Sequence, residues 1–338
     1  MAAAASILLS DDDQGVPDRW QRGMNLTAFL PDAYGEIPAR RSLVTAGAVG
    51  TELVSLTPTW YQDDSGSSEI FRDPVKTPTD ESVTAVAIGA RGLGLRVVIK
   101  PHLDVLDGSF RGEIQPLDRE AWLASYREML MGYADLAARV DAEALVVGTE
   151  LTSMSLEPEP WREMIAAVRD RYGGQLTFAA NWVEGAEQVQ FWDDLDLIGI
   201  DAYMPLQTGE LQPSVEQLTT AWEPYVERMS SLAEGWGRSV LFTELGYESR
   251  VGTATQASGP AAGSVDEDAE EAQDPLAGEQ AQADAYEAAF EALSDQSWFE
   301  GIWWWEWSAE GLSPASDGFS PEGKLAADVL TDWQQPPE

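Results

Sequence analysis

Short runs of β-branched, aromatic and aliphatic residues alternate along this chain with longer amphipathic segments. Eight runs have the pattern of buried strands: Arg22–Phe29, Thr51–Thr57, Leu95–Pro101, Ala144–Glu150, Gln175–Asn181, Leu195–Tyr203, Ser239–Leu245 and Gly301–Trp307. The segments between them are amphipathic, for example Asp80–Leu93, Arg119–Val140, Trp161–Tyr172, Val215–Glu234 and Ala281–Leu293. This alternation is typical of βα units and a parallel sheet.

Eight βα units predict a (β/α)8 TIM barrel, which is an α/β fold, rather than a doubly wound sheet. A doubly wound sheet normally has fewer strands and a glycine-rich first turn, and no G-x-G-x-x-G follows any of these runs. We expect residues 1–21 to form an N-terminal extension and residues 22–335 to form a single domain. Residues 251–284 are rich in Ala, Gly, Gln, Asp and Glu, and they predict a long exposed acidic loop in the seventh unit.

The composition excludes several classes of function. With 59 acidic and 20 basic side chains the net charge is −39, which argues against nucleic acid or an anionic membrane as a partner. The absence of cysteine excludes thiolate catalysis, disulfides and cysteine-bound zinc, and a single histidine excludes a histidine-clustered metal site. We therefore expect neither a metal nor a cofactor. The acidic residues are spread over the whole chain, which favours adaptation to molar salt over one acidic tail.

The sequence carries little information about the cellular compartment and the oligomeric state of the protein. Ala2–Leu9 is apolar but short, has no basic residues before it and runs directly into three aspartates, unlike an intact signal peptide. A cytoplasmic protein is the default expectation, and an extracellular one if an upstream signal has been removed. No apolar run reaches the roughly 18 residues of a membrane helix. We expect a monomer, because the net charge disfavours nonspecific association at low salt.

Two glutamates stand at the ends of predicted barrel strands. Glu150 ends the fourth run after Val-Val-Gly-Thr, and Glu244 lies at the end of the seventh run after Leu-Phe-Thr. Carboxyl ends of the strands form the active-site face of such a barrel. One strand-end glutamate would more simply cap a helix or pair with an arginine. Two of them facing one pocket are the pair that glycoside hydrolysis requires.

Six motifs in chain order resemble glycoside hydrolase family 113, and they span Arg22 to about Trp307. They are Gly23-Met-Asn-Leu26, Thr57-Pro-Thr-Trp60, Lys100-Pro-His102, Val147-Gly-Thr-Glu150, Asp201-Ala-Tyr203 and Phe242-Thr-Glu-Leu-Gly246. Glutamates at strands four and seven resemble the wider clan A of retaining β-glycosidases. Many clan members have Asn before the first glutamate, whereas this chain has Thr149, which suits the family. The resemblance implies cleavage of β-1,4-mannan, with Glu150 as acid/base and Glu244 as nucleophile.

Further residues at strand ends are candidates for substrate binding. Tyr203 could donate a hydrogen bond to Glu244, although an interior barrel aromatic is an equally simple interpretation. The retention of Lys100 in a chain with three lysines, beside the sole histidine, favours a role for both at the acidic site. The remaining candidates are aromatic platforms for sugar rings and amides for sugar hydroxyls, namely Trp60, Trp182, Trp305, Asn25 and Asn181. Along the eighth run, alternation predicts Trp303 and Trp305 facing inward and Trp304 outward under a helix.

Two alternatives to a β-mannanase remain open. The same chemistry could act on another β-glycan, such as xylan, galactan or glucan, because the shape of the sugar subsites sets that choice. A non-catalytic glycan-binding barrel would keep the aromatic residues, but it has no need of both Glu150 and Glu244. The expected partner in each case is a polysaccharide or oligosaccharide.

The acidic surface leads to a prediction about salt. The Debye length falls from about 10 Å at 0.1 M to about 3 Å at 1 M, which screens the self-repulsion of a protein at −39. We expect the melting temperature to rise between these concentrations in KCl and in NaCl alike. Thermal unfolding followed by circular dichroism measures this, and a flat or falling trend would show that the acidity is an ordinary solvated surface.

Overall fold

A closed barrel of parallel strands forms the centre of the computed structural model, which describes residues 15–255, 275–311 and 315–335. The strands in this part of the chain are β1 (Gln21–Thr27), β2 (Leu53–Leu56), β3 (Thr59–Gln62), β4 (Arg96–Ile99), β5 (His102–Val105), β6 (Ala144–Thr149), β7 (Gln175–Asn181), β8 (Ile198–Asp201), β9 (Val240–Leu245) and β10 (Phe299–Ser308). All except β3 and β5 join the barrel, in chain order, and β1 pairs with both β2 and β10 to close it. Each barrel strand coincides with one of the eight predicted runs, so the (β/α)8 fold is confirmed.

Helices connect these strands on the outside of the barrel. Within the described ranges they are α1 (Ile37–Ala48), α2 (Asp80–Gly92), α3 (Arg119–Val140), α4 (Thr152–Ser155), α5 (Pro158–Arg169), α6 (Trp182–Gln188), α7 (Val215–Trp236), α8 (Pro275–Leu293) and α9 (Leu325–Gln334). Local sequence signals set several ends. Ser214 and Gln217 form a capping box at the start of α7, and Gly237 ends that helix with φ 61°. No helix in the described residues is long and apolar enough to cross a membrane.

Side chains fill the barrel interior, which is therefore a packed core rather than a pore. The inward cluster consists of Leu53, Val98, Ala144, Val146, Ala179, Leu197, Leu241 and Trp303. Trp303 needs the space beside Gly23, because a Cβ at Gly23 would lie 2.1 Å from Cδ1 of its ring. Trp304 points the other way and stacks on Tyr286 of α8 with ring centroids 3.9 Å apart. The predicted alternation of these two tryptophans is confirmed.

A small sheet outside the barrel was not predicted. β3 and β5 follow barrel strands β2 and β4 and pair in parallel, with Thr59 opposite His102. The predicted runs ended at Thr57 and Pro101, because a proline follows or closes each of them. The sheet continues the direction of two barrel strands beyond the mouth and so carries His102 to the active-site face.

Two predicted boundaries are corrected by the structure. Helix α8 begins at Pro275, so residues 275–284 are helical and not part of an exposed loop, while residues 256–274 lie outside the described residues. The predicted amphipathic segment began at Ala281, and the earlier residues of the helix escaped prediction because their buried position is a glycine, Gly278, rather than a large apolar residue. Gln282 is satisfied there by donating to the carbonyls of Tyr247 (2.7 Å) and Phe319 (2.9 Å).

The predicted N-terminal extension also contributes to the core. β1 starts at Gln21, and Trp20 is buried against Phe290 and Phe299, with ring centroids 6.2 and 5.2 Å away. Residues 1–14 lie outside the described residues. The described part of the segment is therefore packed against the rest of the protein, through the ring of Trp20 and through the backbone N–H of Val16, which donates to the carbonyl of Trp333 at 3.0 Å.

Candidate active site

Two barrel strands deliver the predicted glutamates to the mouth. Glu150 directly follows β6, and its backbone N–H donates to the carbonyl of Ala179 at 2.8 Å. Its φ of 54° is a left-handed conformation that residues other than glycine rarely adopt, and such conformations concentrate at functional sites. Glu244 lies within β9. Both side chains are buried, with 6% and 5% relative exposure.

Donors and a cation surround the carboxylate of Glu244. Tyr203 donates its phenol proton to Oε2 at 2.8 Å, and Lys100 donates to Oε1. Nε2 of His102 lies 3.3 Å from Oε1, but the contact is too poorly aligned to be a full hydrogen bond. Burial alone would raise the pKa of Glu244, but the charge of Lys100 and these contacts outweigh burial and hold the pKa at about 2. Glu244 is therefore ionised at neutral pH.

Asp201 completes the surroundings of Lys100, although it was not among the predicted site residues. Nζ of Lys100 lies 3.1 and 3.3 Å from the two carboxylate oxygens of Asp201, which also accepts from Thr243 Oγ1 at 2.7 Å. Lys100 and Asp201 are fully buried. Burial and the charge of Glu244 raise the pKa of Asp201 well above its usual value. Its position as the last residue of β8 was the available sequence signal.

Glu150 has surroundings that favour its protonated form. Burial is the main cause that raises its pKa to about 7, and the negative charge of Glu244 acts in the same direction. The strongest opposing influence is Arg111, whose Nη1 lies 3.8 Å from Oε2 of Glu150. One mouth therefore holds two glutamates whose pKa values are displaced in opposite directions. This is the usual arrangement when one carboxyl group acts as an acid and the other stays charged.

His102 and Trp305 form one wall of the site. Their rings stack almost in parallel, with 5.8 Å between centroids and 6° between planes. Burial lowers the pKa of His102 to about 4, so the ring is neutral at pH 7. Trp305 is half-buried at the mouth end of β10, and its peptide bond to Glu306 is cis. Asn181 and Trp182, at the end of β7 and the start of α6, are also half-buried.

Two predicted binding residues are not placed to bind sugar. Asn25 is fully buried, and its amide donates to the carbonyls of Thr243 and Trp303, each at 3.0 Å, so it braces the barrel wall. Trp60 turns away from the mouth and donates its indole proton to Tyr133 of α3 at 2.9 Å. Neighbours in a strand face opposite ways, so Tyr61 takes the inner side instead.

A cleft of about 600 Å³ lies along the β3–β5 sheet and reaches Arg111, the neighbour of Glu150. Phe29, Tyr61, Asp104, Phe110 and Arg111 are among the residues that line it. The lining combines aromatic faces with charged hydrogen-bonding groups, a mixture that suits sugar rings and their hydroxyls. Phe29 ends the first predicted run, whereas the other four residues lie beyond the predicted runs, so the periodicity that located the barrel strands gave no signal for them.

Residues 31–322 match the model of glycoside hydrolase family 113, and the chain therefore belongs to that family. A GH113 β-1,4-mannanase is similar over 94% of this chain and 99% of its own, with a TM-score of 0.82 and 25% identity. The GH113 β-mannanase AaManA from Alicyclobacillus acidocaldarius, in complex with ManMIm, is 31% identical over 95% of this chain and 98% of its own (TM-score 0.78).

A β-glucuronidase from Ruminococcus gnavus shares the fold alone, at 12% identity and a TM-score of 0.57, over 94% of this chain and 52% of its own. Among curated protein sequences no match was found. The family makes this protein a glycoside hydrolase, an enzyme that acts on a polysaccharide or oligosaccharide. The alternative of a non-catalytic glycan-binding barrel is thereby set aside.

The buried position of Lys100 predicts a pH-dependent loss of stability. Lys100→Met leaves Asp201 and Glu244 without their cation, and breaking a buried ion pair costs about 3–5 kcal/mol of unfolding free energy. Without the cation both carboxyls have folded-state pKa values above their unfolded ones, so their protonated forms favour folding at low pH. The loss should therefore be larger at pH 8 than at pH 5, measured by urea denaturation.

Lys76→Met is the matched control, because it removes the same charge from an exposed lysine beside Tyr61. Its effect should stay within about 0.5 kcal/mol at both pH values. Equal losses in the two variants, or a larger loss for Lys100→Met at pH 5, would contradict the structural role assigned to Lys100.

Proposed function

We propose that this glycoside hydrolase cleaves β-1,4-mannosidic bonds by double displacement, with Glu150 as general acid/base and Glu244 as nucleophile. The observation that carries the proposal is the opposite displacement of two pKa values in one pocket, to about 7 for Glu150 and about 2 for Glu244. Glycosidases that act through two carboxyl groups need one that still holds its proton and one that has lost it, and the resemblance to the retaining clan A enzymes favours double displacement.

In the first step Glu244 attacks the anomeric carbon while Glu150 gives its proton to the leaving glycosidic oxygen. The bond between that carbon and the leaving oxygen breaks, and an ester bond to Glu244 forms. Lys100 and Tyr203 hold Glu244 in place and stabilise its charge before the attack. In the second step the carboxylate of Glu150 takes a proton from water, whose oxygen displaces Glu244 from the sugar.

The choice of mannan rests on the relatives, and the mouth offers surfaces that suit sugar rings. The similar structures described as GH113 β-1,4-mannanase and β-mannanase cover almost the whole chain. Trp305, held flat by His102, offers a platform beneath the sugar at the cleavage point, and Asn181 and Trp182 lie at the same end of the barrel. The cleft along Tyr61 and Arg111 gives room for further sugar units and supports action within a chain.

Replacement of each glutamate tests the two roles. With mannan as substrate, Glu150→Ala and Glu244→Ala should each lower kcat/KM at least about 100-fold, because each removes a group that acts in the transition state. With a dinitrophenyl β-manno-oligoside, added azide should rescue both variants. Glu150→Ala should give the β-glycosyl azide and Glu244→Ala the α-glycosyl azide, distinguished by proton NMR.

Glu159→Ala provides the control, because this glutamate is exposed at the start of α5 and the charge change is the same. It should keep wild-type activity. Near-normal hydrolysis of mannan by either active-site variant, or the two azide products in the reverse order, would overturn the assignment of roles.

The anomer released first tests stereochemistry and substrate together. Proton NMR during hydrolysis of mannan should show the β-anomer before mutarotation, because two displacements restore the starting configuration. Xylan, galactan and β-glucan in parallel reactions address the alternative substrates. Early release of the α-anomer would mean inversion, and faster release of reducing sugar from another polymer would replace mannan as the proposed substrate.

A further inference from the structure

A loop beyond the barrel is held against the strand end that carries Glu150. It contains a short 3-10 turn, Arg111–Glu113, that follows β5. A Cβ at Gly112 would lie 2.4 Å from the ring of Phe110 and 3.1 Å from the carbonyl oxygen of Glu150, so only glycine allows this approach. Ser153, just after Glu150, donates its hydroxyl proton to the carbonyl of Ile114 at 2.6 Å. Both contacts fix the loop relative to Glu150.

The loop carries Arg111 into the site, where its guanidinium contacts three groups. Nη1 lies 3.1 Å from Nδ1 of His102 and 3.8 Å from Oε2 of Glu150, while Nη2 donates to Asp104. The side chain is only 12% exposed, so solvent screens these interactions weakly. Arg111 is therefore the group that touches both Glu150 and the histidine beside Glu244.

The contact between Arg111 and His102 determines where the histidine proton lies. A guanidinium has only N–H donors, so Nδ1 of His102 must accept the hydrogen bond. The neutral ring then carries its proton on Nε2, which faces Oε1 of Glu244 at 3.3 Å. In the opposite tautomer a lone pair on Nε2 would face the carboxylate and repel it.

We propose that Arg111 is a positioning residue of this enzyme: it fixes the Nε2–H tautomer of His102 beside Glu244, and the same guanidinium places positive charge next to Glu150. The inference rests on the proposed roles of these two glutamates. One arginine thereby keeps a donor directed at the nucleophile and limits how tightly the acid holds its proton.

The charges around each group set the sign of the expected effects. Glu150 faces Arg111 and Lys100 as cations and Glu244 and Asp104 as anions, and its charge also acts on Asp201 and Tyr203. His102 faces the cations Arg111 and Lys100 and the anion Glu244. Arg111 lowers the pKa of both Glu150 and His102, because its charge favours the ionised carboxylate and disfavours the protonated imidazole.

Because His102 is the only histidine in the chain, nitrogen NMR of histidine-labelled protein reports on this ring alone. At pH 7 the wild-type spectrum should show a protonated Nε2 and an unprotonated Nδ1, and the ring should titrate near pH 4. Arg111→Met should give a mixture of tautomers and raise the pKa by about 1 unit. An unchanged tautomer and pKa in this variant would overturn the proposal.

The pH profile of kcat/KM supplies the second readout, because its alkaline limb reports the acid in the free enzyme. Arg111→Met should move that limb up by about 1 pH unit, since removal of a cation strengthens the hold of Glu150 on its proton. Arg111→Lys keeps the charge and should leave the limb near its wild-type position. If Arg111 had a purely structural role, its loss would instead admit water to the site. Glu150 would then be less desolvated, and the alkaline limb would move to lower pH.

Arg171→Met is the matched control, because it removes an exposed arginine paired with Asp135 at 2.7 Å, and it should change neither readout. If Arg111→Met does not fold, Arg111→Gln removes the same charge and should move the limb by the same amount. The NMR readout needs no substrate, so its failure is distinct from a failure of the proposed β-mannanase activity. If another glycan proves to be the substrate, the limb is measured on that glycan.

Discussion

A buried ammonium group shared by two carboxylates is the interaction on which the rest of the site depends. Lys100, Asp201 and Glu244 come from three different barrel strands or their ends, and all three are removed from water. Desolvation of such charges costs several kcal/mol per ion, which is offset only when each charge keeps its partners. The triad therefore requires the barrel to close in one register, and the closed barrel in turn keeps Glu244 ionised.

The environment of Glu150 differs from that of Glu244 in its nearest cation. Glu244 has a cation within hydrogen-bonding distance, whereas Arg111 stands 3.8 Å from Glu150 and shares its charge with Asp104. Burial raises the pKa of both carboxyl groups, but at Glu244 the charge of Lys100 and the neighbouring contacts together outweigh it, although both groups are equally hidden from solvent. Two identical side chains acquire different protonation states because only one of them has a lysine beside it.

The layer outside the barrel adapts a general fold to this chemistry. The β3–β5 sheet supplies His102 and Asp104, and the loop after it supplies Arg111. These residues lie outside the barrel strands, and each contacts Glu150 or Glu244, the carboxylates proposed as catalytic, or a neighbour of one. Such loops at the carboxyl ends of strands are where barrels of this type differ in chemistry.

Local pattern was enough to locate the barrel strands and the two glutamates. A strand buried on both faces must be continuously apolar, so Val-Val-Gly-Thr-Glu150 and Val-Leu-Phe-Thr-Glu244 revealed where a polar side chain emerges at the mouth. The rarity of lysine likewise marked Lys100, which is fully buried, although rarity alone does not indicate burial because Lys76 is exposed.

Contacts between distant segments decided which side chains face the cleft and which are buried. Whether Trp60 or Tyr61 faces the cleft depends on the pairing of β3 with β5, and the burial of Asn25 depends on the neighbouring strands β9 and β10. The start of helix α8 likewise depends on its neighbours, because the buried Gly278 and Gln282 fit surfaces that the sequence pattern does not describe. Periodicity describes only which face of a segment is buried. The proposed role of Arg111 depends on His102 and Glu150, which only the tertiary fold places beside it.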